Sequence, residues 1–306
     1  MKIYENAAAA SDILKRGRFD DEEKAAAVKE IVRAVRERGD AALFEYCEKF
    51  DGTVLDRDTV AVSRAEIDEA YQALDKELLD SMQRAAENVL AYHRRSPMKE
   101  DIRTKNGRTT GYTVRAVERA GIYVPGGTAP LFSSVMMGVL PAKAAGVEHI
   151  FVCTPAKNGK IAPAVIAAAD MCGAEKIFKV GGAQAIAALA YGTESVPKAD
   201  VIAGPGNIFV TLAKKEVYGQ VGIDMLAGPS EILIIADDQQ NPKFVAADVL
   251  SQAEHDKLAR ALLLTPSRAF AEKVAAEVER QLALLPRREI AEYSVRNAGG
   301  IILVKD

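Results

Sequence analysis

Residues 149–218, HIFVCTPAKNGKIAPAVIAAADMCGAEKIFKVGGAQAIAALAYGTESVPKADVIAGPGNIFVTLAKKEVY, decide the fold. Short apolar runs alternate here with helix-length segments. His149–Cys153, Lys176–Val180 and Asp200–Ala203 read as strands, and Ala162–Cys172, Ala183–Tyr191 and Ile208–Tyr218 as helices. The rhythm continues downstream with strand Glu231–Ala236, helix Pro242–His255, strand Ala261–Thr265, helix Ala269–Leu284 and a last strand Gly300–Val304. Strands alternating with helices at this spacing imply parallel sheets with helices on both faces, an α/β fold. Upstream, residues 1–100 read as mostly helical. Apolar residues recur at three- and four-residue steps in Ala25–Val35 and Leu78–Tyr92, acidic Asp20–Glu23 opens one helix and Gly39 ends it. Lys105-Asn106-Gly107-Arg108, with alternation over Gly111–Glu118 after it, predicts a β-hairpin.

Composition bounds the function. A chain of 306 residues suits about two domains. Apolar residues make up 49% and charged residues 27%, which excludes a disordered or low-complexity chain. The net charge of −3 provides no basic excess for nucleic acid or an anionic membrane surface. No apolar run approaches the ~20 residues of a spanning helix. The N-terminus lacks the basic head and apolar core of a secretory signal. Cys47, Cys153 and Cys172 are odd in number and widely spaced, so the expectation is reduced thiols in a cytoplasmic protein.

Glycine and proline concentrate where strands hand over to the next element: Val124-Pro125-Gly126-Gly127, Val180-Gly181-Gly182-Ala183, Ala203-Gly204-Pro205-Gly206-Asn207 and Ala227-Gly228-Pro229-Ser230. Each alone is a tight turn. Four within about a hundred residues point to a ligand site, because glycine admits close backbone approach and helix N-termini offer free N–H groups. None is the GxGxxG pattern of a standard dinucleotide site. Tyr123 either belongs to the core or stacks on a ligand ring, and Asn207 either caps its helix or faces a ligand. Gln252 and His255 stand three apart at a helix end and read as sharing a face. Histidine is a common metal ligand, but two donors fall short of the three protein ligands that a catalytic zinc site needs. His255 beside Glu254 and Asp256 also reads as a solvated helix-end residue.

GIYVPGG, VGGAQAIAALAYGT, IAGPGNIFV, AGPSEILIIAD and DVLSQAEHD, in this order and spacing, closely resemble the histidinol dehydrogenases. The resemblance implies NAD- and zinc-dependent oxidation of L-histidinol through L-histidinal to L-histidine, in the cytoplasm and as a homodimer. It places Tyr123, Gln184 and Asn207 at NAD, Ser230, Gln252 and His255 at the substrate, and Gln252 and His255 on Zn2+. It also implies two incomplete Rossmann-like units, one inserted in the other: an N-terminal helical extension over 1–19, a first unit over 20–122 and 237–306, and the inserted unit over 123–236. The acid–base Glu-His pair of the family is expected beyond Asp306, so no catalytic residue is assigned within these 306 residues. The alternative reading is a chain that binds NAD or another ligand without turnover.

Overall fold

Residue 3 already belongs to a sheet. Strand β1 (Ile3–Tyr4) leads into the short helix α1 (Ser11–Leu14), and then come α2 (Glu22–Arg38), α3 (Asp40–Asp51), α4 (Arg64–Gln72) and α5 (Lys76–Arg94). Local chemistry sets several of these ends. Glu22 and Glu23 lie in the first turn of α2, where negative charge suits the helix dipole. Ser63 and Glu66 form a reciprocal capping box at α4, and the Asp75 side chain caps α5. The computed structural model describes residues 1–14, 22–95, 99–126, 131–227 and 230–305.

Next comes a hairpin, β2 (Asp101–Lys105) and β3 (Arg108–Tyr112), joined by Asn106 and Gly107. Both joining residues have positive φ, as a two-residue turn of this hand requires. The second strand stops at Tyr112 rather than reaching Glu118.

The β–α alternation then runs β4 (Arg119–Tyr123), α6 (Phe132–Ala144), β5 (His149–Cys153), α7 (Pro163–Cys172), β6 (Lys176–Phe178), α8 (Gly182–Tyr191), β7 (Val201–Ala203), α9 (Ile208–Val217) and β8 (Gly222–Ile223). These strands form one parallel sheet in the order β6-β5-β4-β7-β8. Side chains alternate across it. Phe151, Cys153, Phe178 and Ile202 enter one core with α2, α3, α8 and α9. Ile122, Ile150, Val152 and Ile177 enter another with α5, α6 and α7. Helices on both faces explain why these strands are apolar throughout.

A second parallel sheet has the order β1-β11-β10-β9. It is built from β9 (Glu231–Ile235), α10 (Pro242–Ala253), β10 (Arg260–Thr265), α11 (Arg268–Leu282), α12 (Arg288–Asn297) and β11 (Gly300–Leu303). Ala261, Leu263 and Ile301 on one face are buried with residues of α10, α11 and α12. Tyr4, Ala10 and Ile302 are buried together on the other, with Ile13 and Leu264 packed against them.

The chain divides into two compact units, 20–226 and 1–19 with 227–306. This differs from the division expected over 20–122 with 237–306 and over 123–236. Helices α2 to α5 pack their apolar faces on α6 to α9, the helices that cover the five-stranded sheet, so 20–122 belongs to the same unit as 123–226. Strand β9 pairs with β10, so 231–235 belongs with the C-terminal sheet. Residues 1–19 are not a purely helical extension, because β1 pairs with β11.

Candidate functional site

Counted within its own unit, the five-stranded sheet has the order 3-2-1-4-5. The strand order reverses between the parallel neighbours β4 and β7. In open α/β sheets the crevice at the carboxyl ends of such a pair is where ligands bind. The segments leaving those ends are residues 124–126 and Gly204-Pro205-Gly206-Asn207, and they are in close contact. Gly204 has φ +125°, and a Cβ there would lie 2.0 Å from the carbonyl oxygen of Tyr123. Next along, a Cβ on Gly181 would lie 2.4 Å from Cβ of Pro155, which lies just beyond β5. These glycines let the four segments that follow β4, β5, β6 and β7 crowd together at one end of the sheet.

Three of the residues singled out in the sequence stand here in two different ways. Tyr123 ends β4 and is 3% exposed, and its hydroxyl accepts the Gly182 N–H at 3.1 Å. Burial pushes its phenol up to about 12, against a smaller lowering by the Gly182 N–H. Gln184, in the first turn of α8, is 1% exposed and sends its amide toward Asp51 at 3.5 Å. Both are thus built into the support of the α8 N-terminus. Asn207 is exposed and caps α9, its Oδ1 accepting the N–H groups of Phe209 at 3.0 Å and Val210 at 3.2 Å. Capping uses the carbonyl end of the side chain and leaves its NH2 group out of these bonds.

The sequence reading missed the residues that hold these segments. Burial raises the Asp51 carboxyl, while the Gly181 N–H draws it back down. Lys214 is 2% exposed and binds the Gly204 carbonyl and Asp224. A signal for Lys214 exists in the sequence. It lies four residues after Val210 and three before Val217, on the buried stripe of α9.

In the other unit, Ser230 is exposed just before β9, and its carbonyl accepts the Arg260 N–H at 3.2 Å. Gln252 is half-buried in the last turn of α10. Contrary to the sequence reading, Gln252 and His255 do not both lie on the helix. Helix α10 ends at Ala253, and exposed His255 stands in the turn beyond it, its N–H on the Gln252 carbonyl at 3.2 Å. Among the described residues no group of three or more His, Cys, Asp or Glu side chains is placed to hold a metal ion. Gln252 and His255 therefore do not make a zinc site by themselves. Gly127, Gly228 and Pro229 of the glycine-rich segments lie outside the described residues. The three cysteines are buried and unpaired with one another, and burial pushes the Cys47 thiol up to about 12. No described helix is long and apolar enough to cross a membrane.

Comparison with known proteins agrees with the sequence motifs. The histidinol dehydrogenase family profile matches residues 14–306. A histidinol dehydrogenase of Synechococcus sp. is 53% identical over 281 residues, covering 91% of this chain and 65% of its own. One from Halalkalibacterium halodurans is 50% identical over 91% of this chain and 66% of its own length. The chain thus spans just under two thirds of the length of these curated relatives. The crystal structure of histidinol dehydrogenase from Elizabethkingia anophelis superposes with a TM-score of 0.93 at 38% identity, over 100% of this chain and 71% of that one. The motifs, the α/β architecture and this match along 14–306 together establish that the chain belongs to the histidinol dehydrogenase family, a family of oxidoreductases.

Proposed function

We propose that the protein of which these residues form a part oxidises L-histidinol through L-histidinal to L-histidine, passing hydride to NAD at each of the two steps. The family match over residues 14–306 carries this reading. The carboxyl end of the five-stranded sheet fits a dinucleotide. Glycines leave room for backbone approach, α8 and α9 present their N-termini there, and Asn207 is exposed at the second of them. In this reading Asn207 meets NAD directly, while Tyr123 and Gln184 shape the wall that it lies against. Ser230, Gln252 and His255 orient the amino alcohol. Gln252 and His255 are proposed as two donors to a zinc ion whose remaining ligands lie outside these residues, and no proton transfer is assigned within 1–306.

NADH absorbance with L-histidinol and NAD tests the reading. The whole protein, at its relatives' length, is expected to form NADH. Asn207→Ala is expected to raise the NAD KM well above any change in the histidinol KM. Equal effects on both constants would remove Asn207 from the NAD site, and absence of histidinol-dependent NADH would overturn the function.

A further inference from the structure

Gly204 is the first residue after β7, and its peptide is held in an unusual way. Its N–H donates to Oδ2 of Asp224 at 2.8 Å. Its carbonyl accepts from Nζ of Lys214 at 2.5 Å. The two side chains also meet each other, with Lys214 Nζ 2.6 Å from Oδ1 of Asp224. The same Oδ1 accepts the Met225 N–H at 2.7 Å. Lys214 comes from the middle of α9 and Asp224 from just beyond β8. Both hydrogen-bonding groups of one residue are thus satisfied by a single ion pair, and neither takes part in a helix or sheet ladder.

The arrangement has a geometric consequence. Gly204 sits at φ +125° against the Tyr123 carbonyl, a conformation and a contact that only glycine allows. Pro205 comes next with its φ fixed by its ring. Fixing Gly204 thus sets the start and direction of the path through Pro205 and Gly206 to Asn207, which begins α9. Lys214 completes a loop of causes, because it lies on the helix that this segment starts. A lysine that is 2% exposed carries a desolvation cost that an apolar residue would avoid, so stability alone is a weak reason for it.

We infer that Lys214 and Asp224 are positioning residues: they fix the Gly204 peptide and so set where Asn207 and the α9 N-terminus face the dinucleotide. The inference rests on the NAD reading above. It assigns the pair a role in binding geometry beyond holding the fold together.

The test compares the full chain with Lys214→Met, Asp224→Asn and the double variant Lys214→Met/Asp224→Leu, using NAD+ in isothermal titration and thermal melting of each protein. Asp224→Asn leaves a buried ammonium without its carboxylate and is expected to melt early. The double variant removes both charges and is expected to regain most of that melting temperature. It is still expected to bind NAD+ at least about ten-fold more weakly than the unmodified chain, a change of about 1.4 kcal/mol. A double variant that regains both melting temperature and NAD+ affinity would show a purely structural pair and overturn the inference. Should the double variant fail to fold, Lys214→Met carries the same comparison, because Asp224 keeps contact with solvent. If the unmodified chain shows no affinity for NAD+, the cofactor reading fails by itself. Amide hydrogen exchange over 201–210 then decides on the pair: faster exchange at Gly204 to Asn207 in the variant supports it, and unchanged exchange overturns it.

Discussion

Tyr123 is buried with its hydroxyl on the Gly182 N–H, and its phenol is pushed up to about 12. An unfolded tyrosine ionises near pH 10. The group's folded value lies above its unfolded one, so its contribution is present in full below about pH 10 and is lost as pH rises from there toward 12. Tyr123→Phe removes that titration together with one hydrogen bond. The variant is expected to be about 0.5–1.5 kcal/mol less stable at neutral pH. It is also expected to lose less stability than the unmodified chain between pH 10 and 12. Urea unfolding at a series of pH values checks both, and an unchanged alkaline slope would mean that Tyr123 does not titrate in this way. Tyr71, raised to about 12 mainly by burial, keeps the slope from vanishing. At this scale the sequence is legible where a residue acts on its neighbours. Asn207 begins a helix in the sequence and caps it in the structure. Asp51 and Asp224 are not legible, because their partners at Gly181, Gln184 and Gly204 are distant in the chain and only the fold brings them near.

Between elements, the joint of α2 and α3 is a single residue, Gly39, with φ +56°. The next residue, Asp40, is 4% exposed. It accepts the Ser195 hydroxyl at 2.6 Å, and its own N–H goes to Glu194 at 2.8 Å. That N–H is the main cause holding the Glu194 carboxyl below its usual value. The turn after α8 is thereby stitched to the joint. A Cβ on Gly39 would lie 2.4 Å from Glu194 Oε2, whereas one on Gly52, which is left-handed at φ +61° and ψ +27°, would meet nothing within 4 Å. Gly39→Ala is therefore expected to cost more than Gly52→Ala, which bears only the left-handed penalty of about 1–2 kcal/mol. Denaturant midpoints of the two variants decide it, and equal costs would mean that the stitch yields freely. Element types are readable where period and punctuation agree: β5 has the expected bounds, His149–Cys153. Helix α6 escapes a reading by period because it is apolar on several sides and contains Gly138 and Pro141, so it shows no polar stripe. Its Gly138 has a packing reason, since a Cβ there would lie 2.4 Å from Ile122 Cγ2. The sequence pattern carries α10 two residues too far, which is enough to move His255 off the helix.

For the molecule as a whole, the α/β class follows from the alternation of strand and helix, but the division into units does not. The apolar stripe of α2 says that one face is buried and is silent on which sheet covers it. The structure answers that Val28, Ile31, Val32 and Val35 share a core with Phe151, Phe178 and Ile202. On the opposite face Met82 and Ala86 of α5 share one with Ile122, Ile150 and Val152. Residues 20–226 thus contain a complete sheet, both of its covering layers and a continuous stretch of chain. They are proposed as an independently folding domain. A protein of residues 20–226 alone is expected to unfold in one cooperative thermal transition, with slow amide exchange in β4 and β5. Residues 123–236 alone, the division that the family resemblance implies, leave out α2 to α5 and most of β4, and so uncover the outer sides of α6 to α9 and remove most of the strand that joins β5 to β7. That shorter piece is expected to aggregate or to melt without a cooperative transition. Calorimetry and hydrogen exchange on the two pieces separate the alternatives. Cooperative folding of 123–236 together with failure of 20–226 would return the boundary to residue 123 and take α2 to α5 out of this domain.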